Sequence, residues 1–312
     1  EELAKAIKTL KVLKPNQLTY KMFQEFWNGR KVNRLEYFLS ALERLVGSGD
    51  FLPRSEDELP SAFSNALSRV RQSVRTMAEE VQQNLIPTRD PAIENYDVSG
   101  ISMYCDQTGG DYYDYFTLPQ GKLGIAVADA CGHGIGAAML MTTVRAFMIS
   151  AVGNYANPAR LLNEVNKWIT RDCAASGNFT TMFFLELDPQ THQLRWVRAG
   201  HEPPLHYRRR ENRVTALEGE GIVLGIDESY NFENQLTEVD TGDIILIGTD
   251  GIFETRNGEN LLLGYDRVCG IITRDKEQTA TALQNAIVSE VKSFRGEVDQ
   301  EDDITLVVIK VK

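Results

Sequence analysis

Apolar residues recur along this chain at two different periods, and the change between them falls near residue 90. Over residues 1–47 the spacing is helical. One helix runs to Leu13 and stops near Pro15, Asn16 caps a second over Leu18–Asn28, and Lys31–Val46 reads as a third. Gly47, Gly49 and Pro53 then interrupt the pattern. A longer helix is expected over Leu59–Leu85, where Phe63, Leu67, Val70, Val74, Met77 and Val81 alternate steps of four and three, the mark of a heptad seam. Ile86-Pro87 ends it, because proline lacks an amide proton and clashes with the preceding turn. Such a seam either packs along its own domain or pairs two chains as a short coiled coil. The second is the expectation here, a homodimer with Arg69, Arg71, Arg75, Glu79 and Glu80 on the wet face.

After Pro91 the period shortens to that of strands. Tyr96–Tyr104, Tyr112–Thr117 and Leu123–Asp129 are β-rich, with Pro119-Gln120-Gly121 as a turn. Helices are expected at Ile135–Ala151 and Pro158–Arg171. Strands return at Phe179–Leu187, Leu194–Ala199, Leu205–Arg208, Val214–Leu217, Gln235–Val239 and Asp243–Gly248. Helices at Tyr265–Thr273 and Glu277–Phe294 precede a last strand, Ile304–Val311. Strands in bulk with helices in pairs predict sheets covered by helices, not strict βαβ alternation. Three regions follow: residues 1–58 as helical and regulatory, 59–90 as a linker helix, and 91–312 as a mixed α+β domain.

Composition narrows the picture. At 312 residues the chain is long enough for two domains or one large one. Its net charge of −11 is uneven: residues 1–50 hold nine Lys and Arg against six Asp and Glu, so that +3 leaves −14 for the rest. An acidic body argues against nonspecific nucleic-acid binding and suits a protein that binds cations. No apolar run is read as reaching the ~18 residues that span a bilayer. The start, EELAKAIKTLKVL, has no signal-peptide core, so no membrane association and a cytoplasmic location are expected. The missing initiator Met fits a piece of a longer chain. Cys105, Cys131, Cys173 and Cys269 have no close paired spacing and are read as free thiols.

Four aspartate-bearing segments carry the candidate chemistry: GGDYYDY at Gly109–Tyr115, VADACGHG at Val127–Gly134, GTDGIFE at Gly248–Glu254 and EDDIT at Glu301–Thr305. Each sits at a strand boundary, which is how a fold brings distant carboxylates to one sheet edge. Singly, each has a bland reading: a glycine turn, an N-cap, a solvated acidic loop. Jointly they predict a carboxylate site for hard divalent ions, because unpaired carboxylates in a cluster repel one another and resist burial. 

Six segments in order, GGDYYDY, VADACGHGIGAAMLM, TTMFFLELD, RAGHEPPL, GDIILIGTDGIFETRN and DDIT, resemble the metal-dependent (type 2C, PPM) serine/threonine protein phosphatases. VQQNLIP before the domain is similar to the bacterial RsbU and sporulation-stage-II-E branch of that family. The resemblance covers about residues 77–312. It implies an αββα four-layer sandwich with two Mn²⁺ or Mg²⁺ ions. Asp129 would bridge both, the Ala130 carbonyl and Asp111 would join the second, and Asp250 with Asp302 or Asp303 would hold the first; the first aspartate of DDIT is the usual ligand. Asp129, Asp111 and Asp250 are thus the implied catalytic centre. Where eukaryotic members carry a general-acid histidine this chain has Cys131, which leaves His133 as candidate acid. Cys105-Asp106-Gln107-Thr108 stands where a phosphate-gripping arginine is found. His201 reads as structural, and His192 and His206 as surface residues.

By resemblance the substrate is a phosphorylated anti-sigma-factor antagonist (STAS-type) in a partner-switching pathway, with the N-terminal helices as receiver and Leu59–Leu85 as transmitter. The rivals are a degenerate phosphatase fold that only binds a partner and a nucleotide phosphodiesterase. Four intact acidic positions argue against the first, and the lack of a basic or Gly-rich nucleotide cradle against the second.

Overall fold

The computed structural model describes residues 59–312, so the helices expected over 1–47 lie outside the described residues. The chain divides into two units, Glu1–Met77 and Ala78–Lys312. Helix α1 runs over Leu59–Gln83 and lacks both proline and glycine after its first turn. On its seam Val74, Met77 and Val81 are 47%, 58% and 58% exposed. The side chains of Phe63, Leu67 and Val70 lie outside the described set.

The second unit is built from β1 (Tyr96–Met103), β2 (Asp111–Thr117), β3 (Leu123–Ala130), α2 (Ile135–Val152), α3 (Pro158–Cys173), β4 (Thr180–Asp188) and β5 (Gln193–Ala199). It continues with β6 (Leu205–Arg208), β7 (Arg213–Ala216), β8 (Gln235–Glu238), β9 (Ile244–Gly248), α4 (Asp250–Phe253), α5 (Gly264–Arg274), α6 (Ala280–Arg295) and β10 (Ile304–Val311). One antiparallel sheet has the order β1-β10-β9-β6-β7 and the other β2-β3-β4-β5-β8. Alternation along the strands gives each sheet two apolar faces, and three separate cores result. Ile125, Val127, Phe183, Leu185, Ile245, Ile247, Val307 and Ile309 fill the space between the sheets. Met141, Val144 and Met148 of α2 and Leu162, Val165 and Ile169 of α3 cover one outer face. Val268, Ile272, Leu283 and Ile287 of α5 and α6 cover the other. Helix, sheet, sheet, helix is the αββα sandwich expected from the resemblance.

Three local readings are corrected. Ile135–Val152 is, by length and composition, apolar enough to cross a membrane, contrary to the sequence reading. It buries Ala137, Ala138, Met141, Val144, Met148 and Ala151 on the sheet, which accounts for its apolar inner face. His206 is not at the surface: β6 pairs on both sides, with β7 and β9, and the imidazole is fully buried with Nε2 3.0 Å from the Asp243 carboxylate. His192 is half-buried, its ring centroid 6.4 Å from that of Tyr96. Finally, Asp250 does not end a strand. β9 stops at Gly248, and Asp250 opens the single-turn helix α4, followed by a Glu254 N–H to Asp250 carbonyl bond of 2.8 Å.

Candidate metal centre

Strand pairing brings the first two carboxylates together. In the β2–β3 ladder Asp111 lies directly opposite Asp129; side chains so placed have Cβ atoms about 4.5–5.5 Å apart. The glycine pair before Asp111 is there because the space is taken. A Cβ on Gly110 would stand 2.5 Å from the Ala130 carbonyl oxygen and 3.3 Å from Asp129 Oδ1, and one on Gly109 would stand 2.1 Å from Asp303 Oδ2. The other two segments arrive from the second sheet, where β9 and β10 are neighbours. Asp250 follows β9, and Asp302-Asp303 precede β10.

The adjacent aspartates differ in role. Asp303 is buried, and its oxygens are taken up by backbone amides: Oδ1 accepts from Cys105 N at 2.8 Å, and Oδ2 accepts from Gly110 N at 2.8 Å. It staples the loop before β2 to the start of β10, across 193 positions of sequence. Asp302 is exposed, and its Oδ1 accepts the Asp303 amide at 2.8 Å. Asp111 is buried, with Oδ2 accepting the Thr249 hydroxyl at 2.8 Å. That hydroxyl also accepts the Thr305 amide at 3.0 Å, so one side chain joins β2, β9 and β10. 

The electrostatics of the cluster favours a cation. Burial, then the Asp129 and Asp303 charges, raise the Asp111 carboxyl well above its usual range, opposed by hydrogen bonds from Thr249 and Thr305. Asp129 is pushed up to about 7, first by burial and then by Asp250, Asp302 and Asp303. Asp250 is raised by burial, then by Asp302 and Glu254, with Glu202 adding to the effect. Asp302, though open on its outer side, is raised by partial burial of its carboxyl, and nearby His133 acts the other way. The charges raising these carboxyls are all of one sign, and a divalent cation would reverse each shift. Among the described residues no three His, Cys, Asp or Glu side chains close on one point by themselves. Mutually repelling carboxylates stand apart, and hard ions such as Mg²⁺ keep several waters and take only one or two carboxylates each. The donor set, all oxygen with one backbone carbonyl at hand, fits such ions.

The remaining expected residues separate clearly. His133 is exposed beside Asp302. Cys131 is tied instead to the residue before β4, its Sγ accepting Phe179 N at 3.2 Å. His201 is buried, with Nδ1 2.8 Å from Thr181 Oγ1. Burial and the Arg198 guanidinium push it down to about 3, so it stays neutral. Two contacts escaped the sequence reading. One is the Thr249 hydroxyl, whose only signal is its place before Asp250. The other is Gln82 near the end of α1, whose Nε2 donates to Gly109 O at 2.6 Å while its Oε1 accepts Gly109 N at 3.1 Å.

Paired five-stranded sheets between helix layers, with acidic segments from both sheets acting on one another, define the class of PP2C-type protein serine/threonine phosphatases. The chain belongs within it to the stage II sporulation protein E (SpoIIE) family, whose sequence profile matches residues 119–312. It is 30% identical over 288 residues to phosphoserine phosphatase RsbU of Bacillus subtilis (strain 168), spanning 91% of this chain and 84% of that protein. The fold is similar to that of the SiaA-PP2C domain of Pseudomonas aeruginosa, with a TM-score of 0.69 and 21% identity over 79% of this chain and 99% of that one. It is also similar to the RsbU and RsbW domains of a Mycobacterium tuberculosis protein, with a TM-score of 0.62 and 22% identity over 71% of this chain and 61% of that one.

Proposed function

We propose that this chain removes phosphate from serine or threonine of a small partner protein, a STAS-type anti-sigma-factor antagonist, in a cytoplasmic partner-switching pathway. The observation that carries the reading is that Asp111 and Asp129, from one sheet, and Asp250 and Asp302, from the other, raise one another's carboxyls on top of the effect of burial. Two Mn²⁺ or Mg²⁺ ions would be held by Asp129 shared between them, Asp111 and the Ala130 carbonyl on one side, and Asp250 and Asp302 on the other. When bound, such a pair neutralises phosphoryl charge and activates water for in-line attack. Asp302 is favoured over Asp303 as ligand because the Asp303 oxygens are already engaged by backbone amides. His133, the one exposed imidazole among the four, is the candidate donor to the leaving hydroxyl.

Regulation through the N-terminal helices is part of the same reading. The Gln82 amide grips Gly109 at both its N–H and its carbonyl, two residues before Asp111, so displacement of the end of α1 would drag the loop that presents this ligand. The exposed Val74, Met77 and Val81 support a homodimer through α1; light scattering of the full chain against Val74→Asp/Val81→Asp should fall from dimer to monomer. 

Phosphate release from the phosphorylated antagonist, with Mn²⁺ and with EDTA, tests the central claim. Turnover that needs metal and vanishes in Asp250→Asn is expected. Metal-independent turnover, or full activity in the variant, would refute it.

A further inference from the structure

The segment that follows the Asp250 helix is a rigid loop that holds apolar side chains in solvent. The Thr255 hydroxyl donates to Gly251 O at 2.5 Å, Leu263 N to Thr255 O at 2.9 Å, and Asn257 N to Leu261 O at 3.1 Å. The Asn257 carboxamide oxygen accepts the amides of Glu259 and Leu261 at 3.0 and 2.9 Å. Leu263 enters the core at 3% exposure, yet Leu261 and Leu262 remain 55% and 48% exposed. Beside them Tyr265, 41% exposed, stacks on Phe253 with ring centroids 4.1 Å apart and donates its hydroxyl to Glu202. Phe253 closes the same single-turn helix that Asp250 opens. Tyr265 is therefore mounted on the ligand-bearing helix, packed on a residue about one helical turn from Asp250, and Leu261 and Leu262 precede it in the hydrogen-bonded loop.

We propose that Leu261, Leu262 and Tyr265 form the docking platform for the phosphorylated protein substrate, a refinement that rests on the phosphatase reading above. A phosphoserine on a folded protein reaches the carboxylate edge only if the surrounding surface of that protein comes down beside it. The side chains waiting there are two leucines and a tyrosine held by a hydrogen-bonded loop, so little ordering is lost on contact. The rim carries more acidic than basic groups: Glu202 and Glu254 act on Asp250, Glu254 and Glu259 are exposed, and Glu301 stands 3.9 Å from the Arg256 guanidinium of the same loop. The matching partner face is apolar, with Lys or Arg next to the phosphoserine. A second copy of this chain fits less well. Its own body carries the same net acidity, and seated here it would cover the site.

The test compares two substrates of the full chain with saturating Mn²⁺: the phosphoserine form of a STAS-domain antagonist protein, and p-nitrophenyl phosphate. For Leu261→Asp/Leu262→Asp, kcat/KM on the phosphoprotein should fall at least tenfold, mainly through KM, with p-nitrophenyl phosphate unchanged. Leu261→Ala/Leu262→Ala should fall less, in the same direction, which guards against misfolding of the charged variant. An equal fall on both substrates would overturn the proposal, since the loop would then only brace the Asp250 helix. No fall on the phosphoprotein would overturn it too, as would a shift in mass by light scattering that makes the patch an interface between copies. Wild-type protein that hydrolyses neither substrate would instead refute the phosphatase reading on which the platform rests.

Discussion

Replacing Thr249 by valine removes one oxygen and leaves the shape of the side chain. In the wild type that oxygen donates to Asp111 Oδ2 at 2.8 Å and accepts Thr305 N at 3.0 Å, both in a buried setting. Its loss takes one of two threonine hydrogen bonds from the Asp111 carboxyl and leaves the Thr305 amide without this partner. A hydrogen bond to a charged group contributes about 1.5–3 kcal/mol, and a buried unpaired amide costs a further ~1–3 kcal/mol. The Thr249 bond also opposes the rise of the Asp111 carboxyl, so the variant should hold its proton more firmly and a cation must displace it. Loss of a residue that orients a ligand commonly costs about 10–100-fold in metal affinity. Titration calorimetry of Mn²⁺ into the metal-free chain should therefore give a second binding step weakened by about that factor in Thr249→Val. The deficit should grow towards low pH, and Thr249→Ser should restore it. Equal Mn²⁺ affinity in Thr249→Val and wild type would refute the argument that this hydroxyl orients Asp111.

Three other outcomes are expected. Asp302→Asn should lose Mn²⁺ affinity with its melting temperature in EDTA unchanged. Asp303→Asn should instead lower that temperature by several degrees, because it weakens two charge-assisted bonds to backbone amides worth about 1.5–3 kcal/mol each; the opposite pattern would exchange their roles. In EDTA the melting temperature should fall as pH rises from 5 to 8. The folded Asp129 carboxyl, at about 7, lies above its unfolded value, so its contribution is complete below the unfolded pKa and is lost as pH passes the folded one. Asp129→Asn should flatten that slope and saturating Mn²⁺ should reverse it, while a wild-type curve flat over this range would count against the shift. Gln82→Ala should raise hydrogen exchange in residues 105–111 and lower activity on the phosphoprotein; unchanged exchange there would sever α1 from the site.

Most element positions were legible because they follow from local periodicity. β10 was expected and found at Ile304–Val311, and the helix expected over Leu59–Leu85 is Leu59–Gln83. The four-residue helix at Asp250 was not legible, since a single turn has no period to detect and the apolar run before it reads as one long strand. The carboxylate segments were readable as a group, because their motif order and strand-end positions are properties of the chain itself.

What each side chain does there is another matter. Asp302 and Asp303 are neighbours of the same type, and no local rule separates them. Asp303 became a staple because the amides of Cys105 and Gly110 arrive from nearly two hundred residues away. His206 reads as a surface histidine until β9 and β7 close on either side of it, and Thr249 carries no signal beyond its place before Asp250 until β2 brings the Asp111 carboxylate to 2.8 Å from its hydroxyl. The sequence alone determined the period of each element and the inventory of acidic groups, since both rest on interactions a few residues long. The tertiary structure alone decided which carboxylate oxygens are taken up by distant backbone amides, because that depends on partners supplied by strand pairing across the whole domain.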